Sequence, residues 1–77
     1  MKNNSLYVYS FYRFIKIKNK KIIKNKLDNF LKKKLMRGTI LIADEGINAS
    51  ISGNKSDLLE TLRVIKEILN IRKLNLK

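Results

Sequence analysis

Asp44 and Glu45 stand side by side just before Gly46, Ile47 and Asn48, and they are the residues of this chain whose types and spacing could do acid–base chemistry. Paired carboxylates work as acid and base when both reach one reacting group. Adjacent acids in a strand-to-turn segment point apart, and no further acid or histidine is placed to complete such a pair. The rest of the 77 residues narrows the chemistry further, because the chain has no Cys, His, Trp or Pro. A disulfide framework, a zinc site, a thiol nucleophile and a Ser-His-Asp triad are excluded. Most catalytic readings are thereby removed, and no metal, cofactor or catalytic residue is expected in this chain. Asp44 and Glu45 read instead as solvated turn residues, with Gly46 supplying positive φ where the chain reverses.

The elements around this turn follow from periodicity. Leu6 to Ile15 is rich in aromatic and β-branched residues on both alternations, as in a central strand. One set is Leu6, Val8, Ser10, Tyr12 and Phe14; the other is Tyr7, Tyr9, Phe11, Arg13 and Ile15. From Lys20 the period becomes helical, with Ile23, Leu27, Phe30 and Leu31 on one face and Ile22 at its edge. Lys34 would fall back on that stripe, so the helix ends near Lys33. Thr39–Ala43 and Asn48–Ser52 read as a hairpin. Asn54 then caps a second helix, with Asp57 returning the contact and Leu58, Leu62, Ile65 and Leu69 as its buried stripe. Ile71 to Lys77 alternates as a closing strand, Leu74 and Leu76 against Lys73, Asn75 and Lys77.

The order β-α-β-β-α-β predicts one α+β domain over residues 1–77: a ferredoxin-like, four-stranded antiparallel sheet with two helices on one face. Right-handed crossovers place the first and third strands centrally. The second sheet face stays open, with Tyr7, Tyr9 and Phe11 expected on it as a docking face and Arg13 beside them. Residues 6–15 are interrupted by Arg13 and lack a small-residue cleavage site, and no stretch approaches the roughly 20 apolar residues of a membrane span. A cytoplasmic protein without membrane contact is expected.

The formal charge is +12. Residues 1–37 hold 12 Lys and Arg against one acid, and residues 38–77 hold 6 against 5. A positive field of this kind draws polyanions by steering and counterion release. Arg13, Lys20, Lys21, Lys24, Lys32 and Lys33 are the candidate RNA-binding residues. The competing account is coding bias, since Lys, Asn and Ile fill 34 of the 77 positions.

The segment "RGTILIADEGINASISG" resembles the glycine, apolar run and E-G-I-N motif in the N-terminal domain of the rhodanese-related tRNA uridine hydroxylases. "FYRFIKI" is similar to that family's first strand. The chain departs from the pattern at Asp44, where the family has proline, at Ala49, where it has glycine, and at Ser50, where it has threonine. The resemblance implies an accessory domain of an enzyme that hydroxylates the wobble uridine of tRNA at its 5-position in an oxygen-dependent reaction. The family's cysteine lies in a following rhodanese domain that is absent from these 77 residues. The partners implied are tRNA and a rhodanese-type catalytic domain. Either the chain is an excised domain or it is a shortened product that keeps the N-terminal module. Glu45, Gly46, Ile47 and Asn48 form the motif loop, which either fixes the hairpin or faces the catalytic domain. The alternative is a stand-alone basic RNA-binding module, since "LYVYSF" fits loosely the aromatic first strand of RNA-recognition folds. Those folds also need aromatics on the third strand, and "NASISG" has none. Acylphosphatase shares the topology, but its glycine-rich phosphate loop finds no glycine in Lys16-Ile17-Lys18-Asn19.

Overall fold

A computed structural model describes residues 6–76. Three long strands form an antiparallel sheet: β1 (Tyr7–Phe14), β2 (Arg37–Ala43) and β3 (Gly46–Gly53). Helix α1 spans Lys20–Leu31 and α2 spans Lys55–Leu69. β3 lies between β2 and β1, as right-handed crossovers require. Residues Asn75–Leu76 pair antiparallel with Tyr12 and Phe11 on the far side of β1. The closing strand expected from Ile71 is thus a two-residue pairing among the described residues, and Lys77 lies outside them. The chain leaves α2 in a left-handed conformation at Asn70 (φ 57°, ψ 48°), where the Ile71 N–H donates back to the Lys66 carbonyl at 2.9 Å. That ending satisfies the last carbonyls of α2 and delays the return to the sheet.

α2 forms where capping and periodicity agree. Asn54 accepts from the Asp57 N–H at 2.8 Å, and its own amide donates to the Asp57 carboxylate at 3.1 Å. The return contact runs between side chains, so the reciprocal bond to the cap's backbone is replaced. Leu58, Leu62, Ile65 and Leu69 are all buried, as the stripe predicts. α1 ends near Lys33 as expected, with Leu31 its last residue, Lys32 its C-cap and Lys33 in the turn that follows. The turn lays Lys34 across to α2, where its ammonium pairs with Glu60 at 2.5 Å and with Asp57 at 3.8 Å. It also lies 5.4 Å from the centre of the Phe30 ring. A charge on the apolar stripe is thus accommodated by ending the helix and using the lysine to join the helices.

The core lies between the sheet and the helices. Residues directly opposite in neighbouring strands share a sheet face. Phe11 stands opposite Ala49, Tyr9 opposite Ile51 and Arg13 opposite Ile47. Phe11, Ile47, Ala49 and Ile51 are buried with Leu27 and the α2 stripe, and Tyr9 packs against them. This corrects the expectation that Tyr7, Tyr9 and Phe11 mark the open face. Phe11 and Ala49, opposite one another, are both buried on this face. Ser10 is the complementary marker, because on the opposite face its hydroxyl lies 3.0 Å from that of Ser50.

Candidate functional site

The motif residues fall into place along the β2–β3 hairpin. Ala43 pairs with Gly46, so Asp44 and Glu45 alone make the two-residue loop, and Gly46 is the first residue of β3. Neither loop residue has positive φ among the described residues; the positive value lies on Gly46, at 153°. A hairpin loop without positive φ splays its strands, and Gly46 absorbs the mismatch one position later. A Cβ there would land on the carbonyl oxygen of Arg13 in β1. Gly46 therefore serves both the turn and the close approach of β3 to β1.

The loop's acids have structural partners. The Glu45 carbonyl accepts from the Ile15 N–H, and the Asp44 carbonyl from the Ile17 N–H, both at 2.9 Å. The chain leaving β1 is thereby held against the hairpin tip. The Asp44 carboxylate meets the Lys20 ammonium at 3.0 Å, with both side chains well exposed. An exposed pair adds little stability, but it links the tip to the first turn of α1. The acidic residue is matched to the basic helix it faces.

Beyond the loop the motif alternates. Ile47 is buried in the core, while Asn48 lies on the open face opposite Tyr12 and Leu41. Tyr12, Phe14, Glu45 and Asn48 line a depression of about 550 Å³ together with Ala43, Gly46 and Ile47. The rings of Tyr12 and Phe14 are 5.4 Å apart and tilted by 55°. Phe14 is 79% exposed, Val8 67% and Leu41 62%. The open face is thus apolar at its rim and polar along Ser10, Asn48 and Ser50. Sequence reasoning misses Tyr12 and Phe14 as surface residues because both alternations of β1 are apolar. The polar alternation of β3 and the serine at position 10 carry the signal that could find them.

The candidate cationic residues do not gather into one surface. Lys20, Lys21 and Lys24 line a groove against Ile40, Leu41 and Ile42 of β2, with Lys20 engaged by Asp44. Lys32 and Lys33 lie past the other end of α1, about 18 Å away at 1.5 Å per residue. Arg13 does not lie on the open face as expected, since its pairing with Ile47 puts it on the core side. Its Nε is buried without a hydrogen-bond partner among the described residues. Lys34, absent from the candidates, is a lysine with a defined structural role.

Among the described residues no three His, Cys, Asp or Glu come together as a metal-binding group, and no helix is long and apolar enough to cross a membrane.

The family described as the UPF0176 acylphosphatase-like domain matches residues 6–77. A tRNA uridine(34) hydroxylase of Pelagibacter ubique (strain HTCC1062) is 50% identical over 66 residues, which covers 86% of this chain and 22% of that protein. The protein of the same name from Prochlorococcus marinus (strain NATL1A) is 33% identical over 72 residues, covering 91% of this chain and 23% of its own length. A third, from the Wolbachia of Brugia malayi (strain TRS), is 45% identical over 56 residues, covering 68% and 19%. The chain spans about a fifth to a quarter of the length of these relatives.

Proposed function

The chain belongs to the UPF0176 acylphosphatase-like domain family, and from that membership we propose that it is a non-catalytic accessory domain of the tRNA uridine(34) hydroxylase type. In this reading residues 1–77 form one ferredoxin-like domain in which the pairing at Asn75–Leu76 belongs to a fourth edge strand. The partner is the catalytic remainder of such an enzyme, and the contact surface is the open sheet face. The observation that carries the proposal is the placement of the motif: Glu45, Gly46 and Asn48 line the same depression as the exposed Phe14 and the half-buried Tyr12. Ile47 anchors that surface from behind. Phe14, Val8 and Leu41 leave apolar side chains exposed on this face among polar groups, and exposed apolar surface bordered by polar groups marks a site that another domain covers.

tRNA is the substrate class of the assembled enzyme, and the role belongs to the cytoplasm. Because the lysines are spread over both ends of α1, their part is a general positive field that raises local tRNA concentration. The test is a chimera in which this chain replaces the matching segment of the Pelagibacter ubique relative, with hydroxylation of uridine 34 measured in tRNA. Phe14→Glu should abolish the modification while circular dichroism shows an unchanged fold. Full modification by the folded Phe14→Glu chimera would refute the proposed contact surface.

A further inference from the structure

The outer edge of β2 is paired with no described strand. Proteins usually blunt such an edge with proline, lysine, a bulge or a covering element. β2 has seven residues, Arg37–Ala43, and after Arg37 it contains neither charge nor proline. Its alternate N–H and C=O groups face away from β3 as an open ladder. α1 packs over the inner side of the strand and leaves a channel along it. One part, about 370 Å³, lies between Lys20, Lys21 and Lys24 and the stretch Ile40–Ile42. A second part, about 170 Å³, reaches Leu27, Leu31 and Met36. Both parts are lined by Lys24, Ile40 and Ile42, so they form one groove with an apolar floor and a basic rim. Asp28 is the acid that lines it, and Asp44 nearby is held by Lys20.

We infer that the edge of β2 accepts an extended acidic segment of a partner protein as an added strand, with apolar side chains over Ile40 and Ile42 and carboxylates on Lys21 and Lys24. Strand addition draws affinity from main-chain hydrogen bonds and specificity from the pockets that alternate side chains enter. Charge decides against a second copy as the occupant, because each chain carries +12 and edge-to-edge pairing would set two basic rims together. A polynucleotide offers phosphates to the lysines but has no amide ladder for the strand. The inference is independent of the accessory-domain reading, since it concerns the edge of the sheet and not its open face.

The test uses the 77-residue chain and four dye-labelled probes. These are a seven-residue peptide matched to the length of β2 whose odd positions, which share one face of a strand, run Val, Glu, Val, Glu with Ser or Thr between them, a version with proline at its centre, a version with Lys for Glu, and a single-stranded RNA of equal charge. Fluorescence anisotropy should show the acidic peptide binding about tenfold or more tightly than the proline and lysine versions. Lys21→Glu with Lys24→Glu, both on exposed helix positions, should weaken it by about the same factor. Amide NMR shifts should concentrate on β2 and leave Val8 and Phe14 unmoved. Equal binding by the proline version would overturn strand addition. Tighter binding of the RNA at the same lysines would replace the protein partner with a nucleic acid, and dimerisation through β2 without any peptide would replace it with a second copy.

Discussion

Replacing Gly46 with alanine should destabilise the fold by about 2–4 kcal/mol, from a conformational and a steric contribution together. The first is conformational: at φ 153° an L-residue is held in a sparsely populated region, which costs of order 1–3 kcal/mol. The second is steric, because the new Cβ would coincide with the Arg13 carbonyl oxygen, and both groups are main-chain bound. Relief requires β3 to draw away from β1 at the Gly46–Phe14 pair. Each ladder hydrogen bond broken there costs about 0.5–1.5 kcal/mol. At about 0.05–0.15 kcal/mol per residue, a chain of this length has about 4–12 kcal/mol in total, so the substitution removes a large share. Urea denaturation followed by circular dichroism measures it, and a fall in melting temperature of about 10–25 °C is the thermal equivalent. Gly53→Ala is the matched control in the same strand: its Cβ would meet the flexible Met36 side chain at 3.3 Å, and its φ is not in the positive range. It should change stability by less than about 1 kcal/mol. Equal midpoints for Gly46→Ala and the parent chain would refute the structural role and leave close approach of a partner as the reason for the glycine.

The parity of β1 predicts unequal effects from two phenylalanines. Phe11→Ala empties a fully buried site and should cost about 3–5 kcal/mol, whereas Phe14→Ser removes an exposed ring and should be near neutral in the same melts. The Lys34–Glu60 pair predicts a pH window. The Glu60 hydrogen bond raises the Lys34 pKa above 10.5, and the Lys34 bond lowers the Glu60 pKa below 4.5. The raised lysine stabilises fully below 10.5 and loses its contribution as pH rises through the folded value; the lowered glutamate stabilises fully above 4.5 and loses it as pH falls through the folded value. The gap in melting temperature between the parent and Glu60→Gln should therefore be constant between those limits and shrink outside them. A constant gap down to strongly acidic pH would contradict the pairing. For tRNA, changing Lys32 and Lys33 to Gln should lower the slope of log affinity against log salt by the same amount per charge as changing Lys55 and Lys66, roughly 0.9 for each phosphate no longer neutralised. A much larger drop from one pair would reveal the dedicated RNA surface that the scattered lysines argue against.

How far the fold is legible in the sequence depends on how many independent signals meet at one place. At α2, a cap, an acid three residues later and an apolar stripe all point to the same helix, and every stripe residue is buried. At α1 one signal contradicts the stripe: Lys34 marks where the helix must stop, yet the sequence holds no sign that its charge reaches Asp57 and Glu60 on α2. That contact depends on the packing of two helices, which periodicity within either one does not specify. The closing strand is overextended for a related reason. The alternation from Ile71 is genuine, but the left-handed residue at Asn70 uses the following N–H to end the helix, and pairing with β1 begins only at Asn75.

The candidate site shows why a correct motif and a misplaced face arise together. "ADEGIN" is informative because glycine tolerance of positive φ is a property of one residue, visible without its neighbours. Which face of β1 is buried is visible only in the pairing: Phe11 stands opposite buried Ala49 on the interior face, and Tyr12 opposite Asn48 on the exterior one. Arg13 misleads, since a charge in a strand reads as solvent-facing, whereas here the strand's parity carries it to the core side opposite Ile47. One slip of parity exchanges every side chain between the faces, so Tyr7, Tyr9 and Phe11 are displaced together. The same rule moves Val8, Tyr12 and Phe14 outward as a set, and Tyr12 and Phe14, brought beside Glu45 and Asn48, give the open face its proposed partner-binding character.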